Sequence, residues 1–204
     1  MNQIEMQKND IKGIIVIDPG HGGYDPGKVG SNGVYEKNIN LDISLKLRDY
    51  LEDNGYKIIL TRDTDCDLDN IPDKFHKNND MRARKDIINS SKAQVLVSIH
   101  QNAFSQESVR GAQVFYYSDT GSGKTLANFV QTSIREKVDP NNTRPIKNSP
   151  DYFLLKTSDM PAIIIECGFL TNKEEERMLL NAEYQSLIAG AIGDGIIQFL
   201  TTSS

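Results

Sequence analysis

The sequence comprises 204 residues, of which 38% are hydrophobic and 25% are charged, and this length and composition predict one globular domain with a substantial core. The formal net charge of −5 argues against a nucleic acid or an anionic membrane surface as partner, because both favour a basic binding face. No apolar stretch approaches the roughly 20 residues that span a bilayer, the opening segment has no signal-peptide core, and two cysteines cannot form a disulfide framework.

The first predicted element is an apolar, β-branched run over residues 14–17, which is typical of a strand buried on both faces. Asp18, Pro19 and Gly20 end this strand, and His21 follows in a glycine-rich loop over residues 19–37. Open α/β sheets bind their ligands at the carboxyl ends of strands. His21 is therefore a candidate ligand, although an exposed loop histidine without a function is the competing interpretation.

Strand-like and helix-like patterns alternate along the rest of the chain. The predicted strands cover residues 56–61, 93–99, 112–117 and 162–165. The predicted helices cover residues 38–51 with Asn38 as the N-cap, 81–89, 124–138, 173–180 and 183–200, and residues 139–150 are predicted as a loop. The alternation predicts an α/β fold, with a mainly parallel, twisted sheet of about five to six strands and helices on both faces. Residues 13–200 would form this single domain, between a polar N-terminal segment (residues 1–12) and a tail (residues 201–204).

Three of the predicted strands end close to an ionisable side chain, namely His21, His100 and Glu166. Because the ends of parallel strands open on one edge of a sheet, these side chains are expected to lie together, and the flexible loop could bring Glu36 to the same edge. Two histidines and a carboxylate, with a fourth position open to water, form the ligand set of a catalytic zinc site. A further carboxylate that does not bind the metal would be free to transfer protons.

Each of these residues also has a purely structural interpretation. His100 could be a core histidine bonded to a backbone carbonyl, and Glu36 could be a first-turn glutamate favoured by the helix dipole. Glu166 follows three isoleucines, and an ionised carboxylate is costly to bury without a partner, which favours a functional role.

Other patterns suggest different chemistry. Residues 120–125 lie between a strand and a helix like a phosphate-binding loop, but Ser118 stands where the first glycine of that motif would be. Cys167 and His100 could form the pair of a cysteine hydrolase. The acidic run over residues 63–67 is similar to a calcium loop but lacks the glycine and the closing glutamate, which favours a solvated loop.

Four motifs occur in an order that resembles zinc-dependent N-acetylmuramoyl-L-alanine amidases, a family of bacterial cell-wall hydrolases. The motifs are Asp18-Pro19-Gly20-His21-Gly22-Gly23, Glu36-Lys37, Ser98-Ile99-His100-Gln101-Asn102-Ala103 and Glu166-Cys167-Gly168-Phe169-Leu170-Thr171-Asn172. The resemblance implies that His21, Glu36 and His100 bind Zn²⁺, that Glu166 is the catalytic glutamate, and that Asn102 lies near the substrate. Within the family, residues 44–51, 61–63 and 154–156 are most similar to the spore-cortex amidases.

The resemblance also implies a substrate and a location. The substrate would be a peptidoglycan glycan strand with its stem peptide, cleaved at the amide between N-acetylmuramic acid and L-alanine. The role would be spore-cortex modification through muramic δ-lactam formation, with a vegetative autolysin, a phage endolysin and a non-catalytic peptidoglycan-binding module as alternatives. The expected location is the cell envelope outside the cytoplasmic membrane, such as the forespore intermembrane space, with a leader outside this sequence. Because an acidic chain without a wall-binding domain gains no attraction to an anionic wall, an envelope partner protein is also expected.

Overall fold

The computed structural model describes residues 11–69, 71 and 76–202. Most of the predicted segments at the two ends, residues 1–12 and 201–204, lie outside the described residues. The strands of the described part are β1 (Ile14–Pro19), β2 (Lys57–Leu60), β3 (Val95–Asn102), β4 (Gln113–Tyr116), β5 (Lys147–Asn148) and β6 (Ala162–Phe169). The helices are α1 (Glu36–Asp53), α2 (Lys77–Ser90), α3 (Ser122–Lys137), α4 (Phe153–Thr157), α5 (Lys173–Leu179) and α6 (Ala182–Thr202).

The six strands form one mixed sheet in the order β2-β1-β3-β6-β4-β5. Strands β2, β1, β3 and β6 are parallel to their neighbours, whereas β4 runs antiparallel to β6 and parallel to β5. The last strand in the sequence therefore lies inside the sheet, between β3 and β4. The prediction of a mainly parallel sheet of five to six strands is confirmed.

Helices cover both faces of the sheet, as the alternating pattern predicts. On one face, alternate strand residues such as Ile17, Val97 and Ile165 pack in a large core against the apolar sides of α1, α3 and α6. On the other face, Leu96 and Ile164 pack in a smaller core against α2 and α4. Side chains alternate between the two faces along a strand, so buried strands supply apolar residues to both cores.

Several element boundaries differ from the sequence prediction. Helix α1 begins at Glu36 with Tyr35 as the N-cap, so the prediction of Asn38 as N-cap is wrong. The N-cap thus lies three residues earlier than predicted, and the Glu36 backbone N–H, which has no partner within the helix, donates to the Lys28 carbonyl. Strands β3 and β6 continue past their apolar runs, because the ladder between them extends through the polar residues that follow. The two-residue strand β5 lies in the segment predicted as a loop.

Over residues 11–69, 71 and 76–202, no helix combines the length and the apolar character that crossing a bilayer requires.

Candidate metal centre

The carboxyl ends of β1, β3 and β6 lie side by side and bring polar residues together. His100 of β3 and Glu166 of β6 are direct register partners, and Asp18 of β1 pairs with Ser98. Each of these four residues lies two or four positions after Val16, Leu96 or Ile164 on the same strand, so it shares a face of the sheet with that residue. Val16, Leu96 and Ile164 lie in the smaller core, which packs against α2 and α4. Strand alternation therefore places the polar side chains on the face of α2 and α4, where a cleft of 690 Å³ opens.

His21, Glu36 and His100 converge in this cleft. The Glu36 carboxylate lies between the two imidazoles, with Oε2 3.2 Å from His21 Nε2 and Oε1 3.1 Å from His100 Nδ1. One ligand atom from each of the three residues lies within 4.8 Å of the others. The structure thus brings together all three residues that were predicted to bind the metal, although they lie on a loop, a helix and a strand.

The pKa shifts in this cluster favour an ionised Glu36 carboxylate with positive charge beside it. Burial alone would raise the pKa of Glu36, but hydrogen bonds with His100 and His21 hold it well below its ordinary value. Burial would likewise lower the pKa of His21, but Asp25 and Glu36 raise it to about 9. An ionised carboxylate flanked by two imidazoles attracts either protons or a metal cation to the same position.

The donor set fits zinc, and a neighbouring residue strengthens this fit. Two imidazole nitrogens and one carboxylate oxygen are the ligands of many catalytic zinc sites. The ring of His21 presents Nε2 to Glu36 while its Nδ1 lies 2.8 Å from Asp25 Oδ2. A carboxylate behind a metal-binding histidine fixes its tautomer and orientation. The sequence prediction missed Asp25, although an aspartate four residues after a candidate histidine in a short loop was a usable signal.

Glu166 lies next to this cluster and differs from it electrostatically. Its side chain is only 8% exposed, and this burial raises its pKa above the ordinary value. Its Oε1 lies 3.5 Å from the Tyr152 hydroxyl, whereas its Oε2 is buried and has no hydrogen-bond partner among the described residues. Because buried polar atoms are nearly always paired, this oxygen is suited to a ligand or a water molecule in the cleft.

Two buried arginines hold the loop that carries His21. Arg62 donates to the carbonyls of Pro19 and Gly20, each at 3.0 Å, and Arg84 donates to the carbonyls of Pro19 at 2.9 Å and His21 at 2.6 Å. His21 adopts a φ of 62°, a left-handed conformation that is uncommon for a residue other than glycine. The arginines thus fix a strained loop from both sides.

Arg84 also pairs with a buried aspartate at the end of β1. Its Nη1 donates to Asp18 Oδ1 at 2.7 Å, and Asp18 also accepts from Ser98 and Thr61, each at 2.6 Å. Burial would raise the pKa of Asp18, but these partners lower it to about 2. Sequence reasoning missed this network, because the spacing of Arg84 on α2 does not show which strand end it faces.

The other residues considered in the sequence analysis lie outside the cluster of His21, Glu36 and His100. Asn102 lies at the end of β3, where its Oδ1 accepts the Ala103 N–H at 2.8 Å, and it does not line the cleft, so its contact with substrate stays a prediction. Cys167 is fully buried in the core on the opposite face, and burial raises its pKa, which disfavours a thiolate nucleophile. In the segment over residues 120–125, which was considered as a phosphate-binding loop, Lys124 lies on α3 and donates to Asp119 at 2.8 Å.

Comparisons with known proteins show which family this chain is similar to. Residues 15–198 match the sequence profile described as N-acetylmuramoyl-L-alanine amidase. The chain is 37% identical over 191 residues to the germination-specific N-acetylmuramoyl-L-alanine amidase of Bacillus subtilis, covering 92% of this chain and 80% of that protein. It is also similar to the CwlD amidase from Clostridioides difficile, solved in complex with the GerS lipoprotein, with 41% identity, a TM-score of 0.90 and coverage of 93% of this chain and 99% of that one.

A second solved structure shows the same relationship. The amidase AmiC2 of Nostoc punctiforme is 34% identical with a TM-score of 0.82, and the match covers 93% of this chain and 98% of that one. The profile match and the 37% identity each extend over nearly the whole described chain. The chain therefore belongs to the N-acetylmuramoyl-L-alanine amidase family.

Proposed function

We propose that this protein is a zinc-dependent hydrolase that cleaves the amide between N-acetylmuramic acid and L-alanine in peptidoglycan. The observation that carries the proposal is the convergence of His21, Glu36 and His100 within 4.8 Å, beside the buried carboxyl of Glu166, in a family of amidases. The sequence profile supports the reaction, and the donor set supports the metal. In this scheme residues 13–200 form the catalytic domain.

The side chains divide into ligands and a proton-transfer group. His21, Glu36 and His100 would hold Zn²⁺, and Asp25 would orient His21 from behind. A zinc ion with an open position lowers the pKa of bound water to about 7 and polarises the carbonyl under attack. Glu166 would accept a proton from the attacking water and give it to the departing alanine nitrogen, a contribution of about 10²–10⁴ in rate. Asn102 would contact the substrate beside this centre.

Digestion of purified peptidoglycan tests the reaction directly. Mass spectrometry should show stem peptides released with a free L-alanine amino group when zinc is present, and no release after thorough chelation. Glu166→Ala should retain zinc and lose nearly all turnover, whereas His21→Ala and His100→Ala should lose both. His76→Ala is the matched control, because this third histidine of the chain lies outside the cluster, and it should keep both. Activity that survives chelation would contradict the proposal.

We further propose a role in the spore cortex. The support is the 37% identity to the germination-specific amidase of Bacillus subtilis and the TM-score of 0.90 with the CwlD amidase. In a sporulating host, deletion of the gene should remove muramic δ-lactam from cortex muropeptides, and the Glu166→Ala allele should fail to restore it. Cortex with unchanged δ-lactam would favour an autolysin or an endolysin of the same chemistry.

The location and a protein partner follow from the same proposal. The substrate lies in the cell envelope outside the cytoplasmic membrane, and the CwlD amidase was solved in complex with a lipoprotein. We propose that this chain also binds an envelope protein, which would hold an acidic enzyme near an anionic wall. Cross-linking in sporulating cells followed by fractionation should recover the protein with an envelope partner in the forespore fraction, and recovery from the cytoplasm alone would contradict this.

A further inference from the structure

The side chain of Glu166 has one hydrogen-bonded oxygen and one unpaired oxygen. Oε1 lies 3.5 Å from the Tyr152 hydroxyl, which is the one side-chain partner of Glu166 in the described part of the chain. Oε2 is buried without a partner. The two oxygens of a carboxylate are chemically equivalent until a neighbour distinguishes them, and Tyr152 makes that distinction here.

Tyr152 is held rigidly by elements that also hold Glu166. Its ring packs edge to face against Phe115, with centroids 5.6 Å apart and an interplanar angle of 79°. Phe115 lies on β4, which pairs directly with the strand that carries Glu166. Tyr152 is also the N-cap of α4, and its carbonyl accepts the Lys156 N–H at 3.0 Å. The hydroxyl therefore has a fixed position relative to the carboxyl.

The phenol of Tyr152 stays protonated and can therefore donate a hydrogen bond. Burial and the nearby Glu166 carboxylate raise its pKa to about 12, so the phenol keeps its proton throughout the neutral range. A phenol that stays neutral beside a carboxylate donates its hydrogen to it. The distance of 3.5 Å is long for such a bond, but catalytic hydrogen bonds in apo structures often shorten when the substrate complex forms.

We propose that Tyr152 is a positioning residue for Glu166: its hydroxyl binds Oε1 and thereby presents Oε2 to the reacting water. This inference rests on the proposed function and assigns a role to a residue outside the four family motifs. Without the hydroxyl, the carboxyl can rotate about its last side-chain bond, and a smaller fraction of molecules has an oxygen directed at the water. The expected consequence is a slower chemical step with unchanged substrate binding.

Tyr152→Phe tests this, because it keeps the ring against Phe115 and removes the hydroxyl. On a soluble muramoyl-peptide with zinc at saturation, kcat should fall by about 10- to 100-fold, the range of one charge-assisted hydrogen bond, with KM within about twofold of wild type. Zinc content should not change. Tyr50→Phe is the matched control, because Tyr50 donates to Asp194 at 2.5 Å between α1 and α6, away from the cleft, and it should keep wild-type kcat.

A double-mutant cycle separates positioning from general packing. In a Glu166→Asp background, the shortened carboxyl no longer reaches Tyr152, so Tyr152→Phe should change kcat by less than about twofold. The same loss in both backgrounds would overturn the inference, as would a wild-type kcat for Tyr152→Phe or a loss confined to KM. An inactive wild-type protein would instead overturn the proposed function.

Discussion

Replacing Arg84 by methionine should strongly destabilise the protein, because the guanidinium is a buried cation at the centre of the polar network. Arg84 is 2% exposed and bonds to Asp80 at 2.7 Å, to Asp18 at 2.7 Å and to the carbonyls of Pro19 and His21. Removing one partner of a buried ion pair leaves an uncompensated charge and costs about 3–5 kcal/mol. For a domain of this size, this corresponds to a lowering of the melting temperature by about 6–20 °C.

The pH dependence of stability provides a second readout. The pKa of Asp18 is lowered from 3.8 to about 2 in the folded protein. A carboxyl whose pKa is lower in the folded state stabilises the fold above its unfolded pKa, and this stabilisation is lost as pH falls through the folded pKa. At about 1.4 kcal/mol per pKa unit, the lowering corresponds to about 2.5 kcal/mol. Wild type should lose most of this stabilisation between about pH 4 and pH 2, and Arg84→Met should lose less over the same pH range.

Urea unfolding followed by circular dichroism, at fixed zinc concentration, measures both effects. Arg48→Met is the matched control, because Arg48 is partly exposed and its one ion-pair partner among the described residues is its neighbour Asp49, at 2.7 Å. An exposed pair of this kind contributes at most about 1 kcal/mol. The reasoning would be refuted if Arg84→Met had the same free energy of unfolding as Arg48→Met, or if it lost as much stability as wild type between pH 4 and pH 2.

Three further variants probe the candidate metal centre. Asp25→Asn should weaken zinc binding by about 10- to 100-fold in a competition titration, because an amide orients the His21 ring less well than a carboxylate. An unchanged zinc affinity would show that Asp25 does not orient His21. Gly27→Ala should reduce zinc occupancy, since Gly27 has a φ of +66° and a Cβ there would lie 2.6 Å from Glu36 Oε2; full occupancy would show that the loop adjusts. Glu176→Ala should increase amide hydrogen exchange over residues 28–35, because its fully buried carboxylate binds that loop; exchange equal to wild type would contradict this.

The fold was largely predictable because its strands carry continuous apolar runs and its longest helices carry a stripe of apolar residues. The runs over residues 14–17 and 162–165 were identified as strands by their length, but the order of the strands in the sheet was not predicted. Strand ends were less predictable, because pairing rather than hydrophobicity decides where a strand stops. His100 and Glu166 lie within their strands for this reason, and both were predicted to follow them.

The convergence of the candidate ligands was predictable, but the residues that support them were not. Parallel strands place their carboxyl ends at one edge of a sheet, and this rule predicted that His21, His100 and Glu166 lie close together. Asp25, Arg84 and Tyr152 contact these side chains or their backbone. Such contacts depend on the path of loops and on the packing of α2 and α4, and neither leaves a periodic pattern in the sequence.

The position of β6 between β3 and β4 has a consequence for biosynthesis. Strand β6 (residues 162–169) is synthesised after all the other described strands. Until it leaves the ribosome, the nascent chain holds two separate groups of strands, β2-β1-β3 and β4-β5. Joining them requires contacts between parts of the chain that are far apart in sequence, which slows folding. Because the same segment carries Glu166, a translation product that stops before residue 162 has neither a continuous sheet nor the candidate catalytic carboxyl.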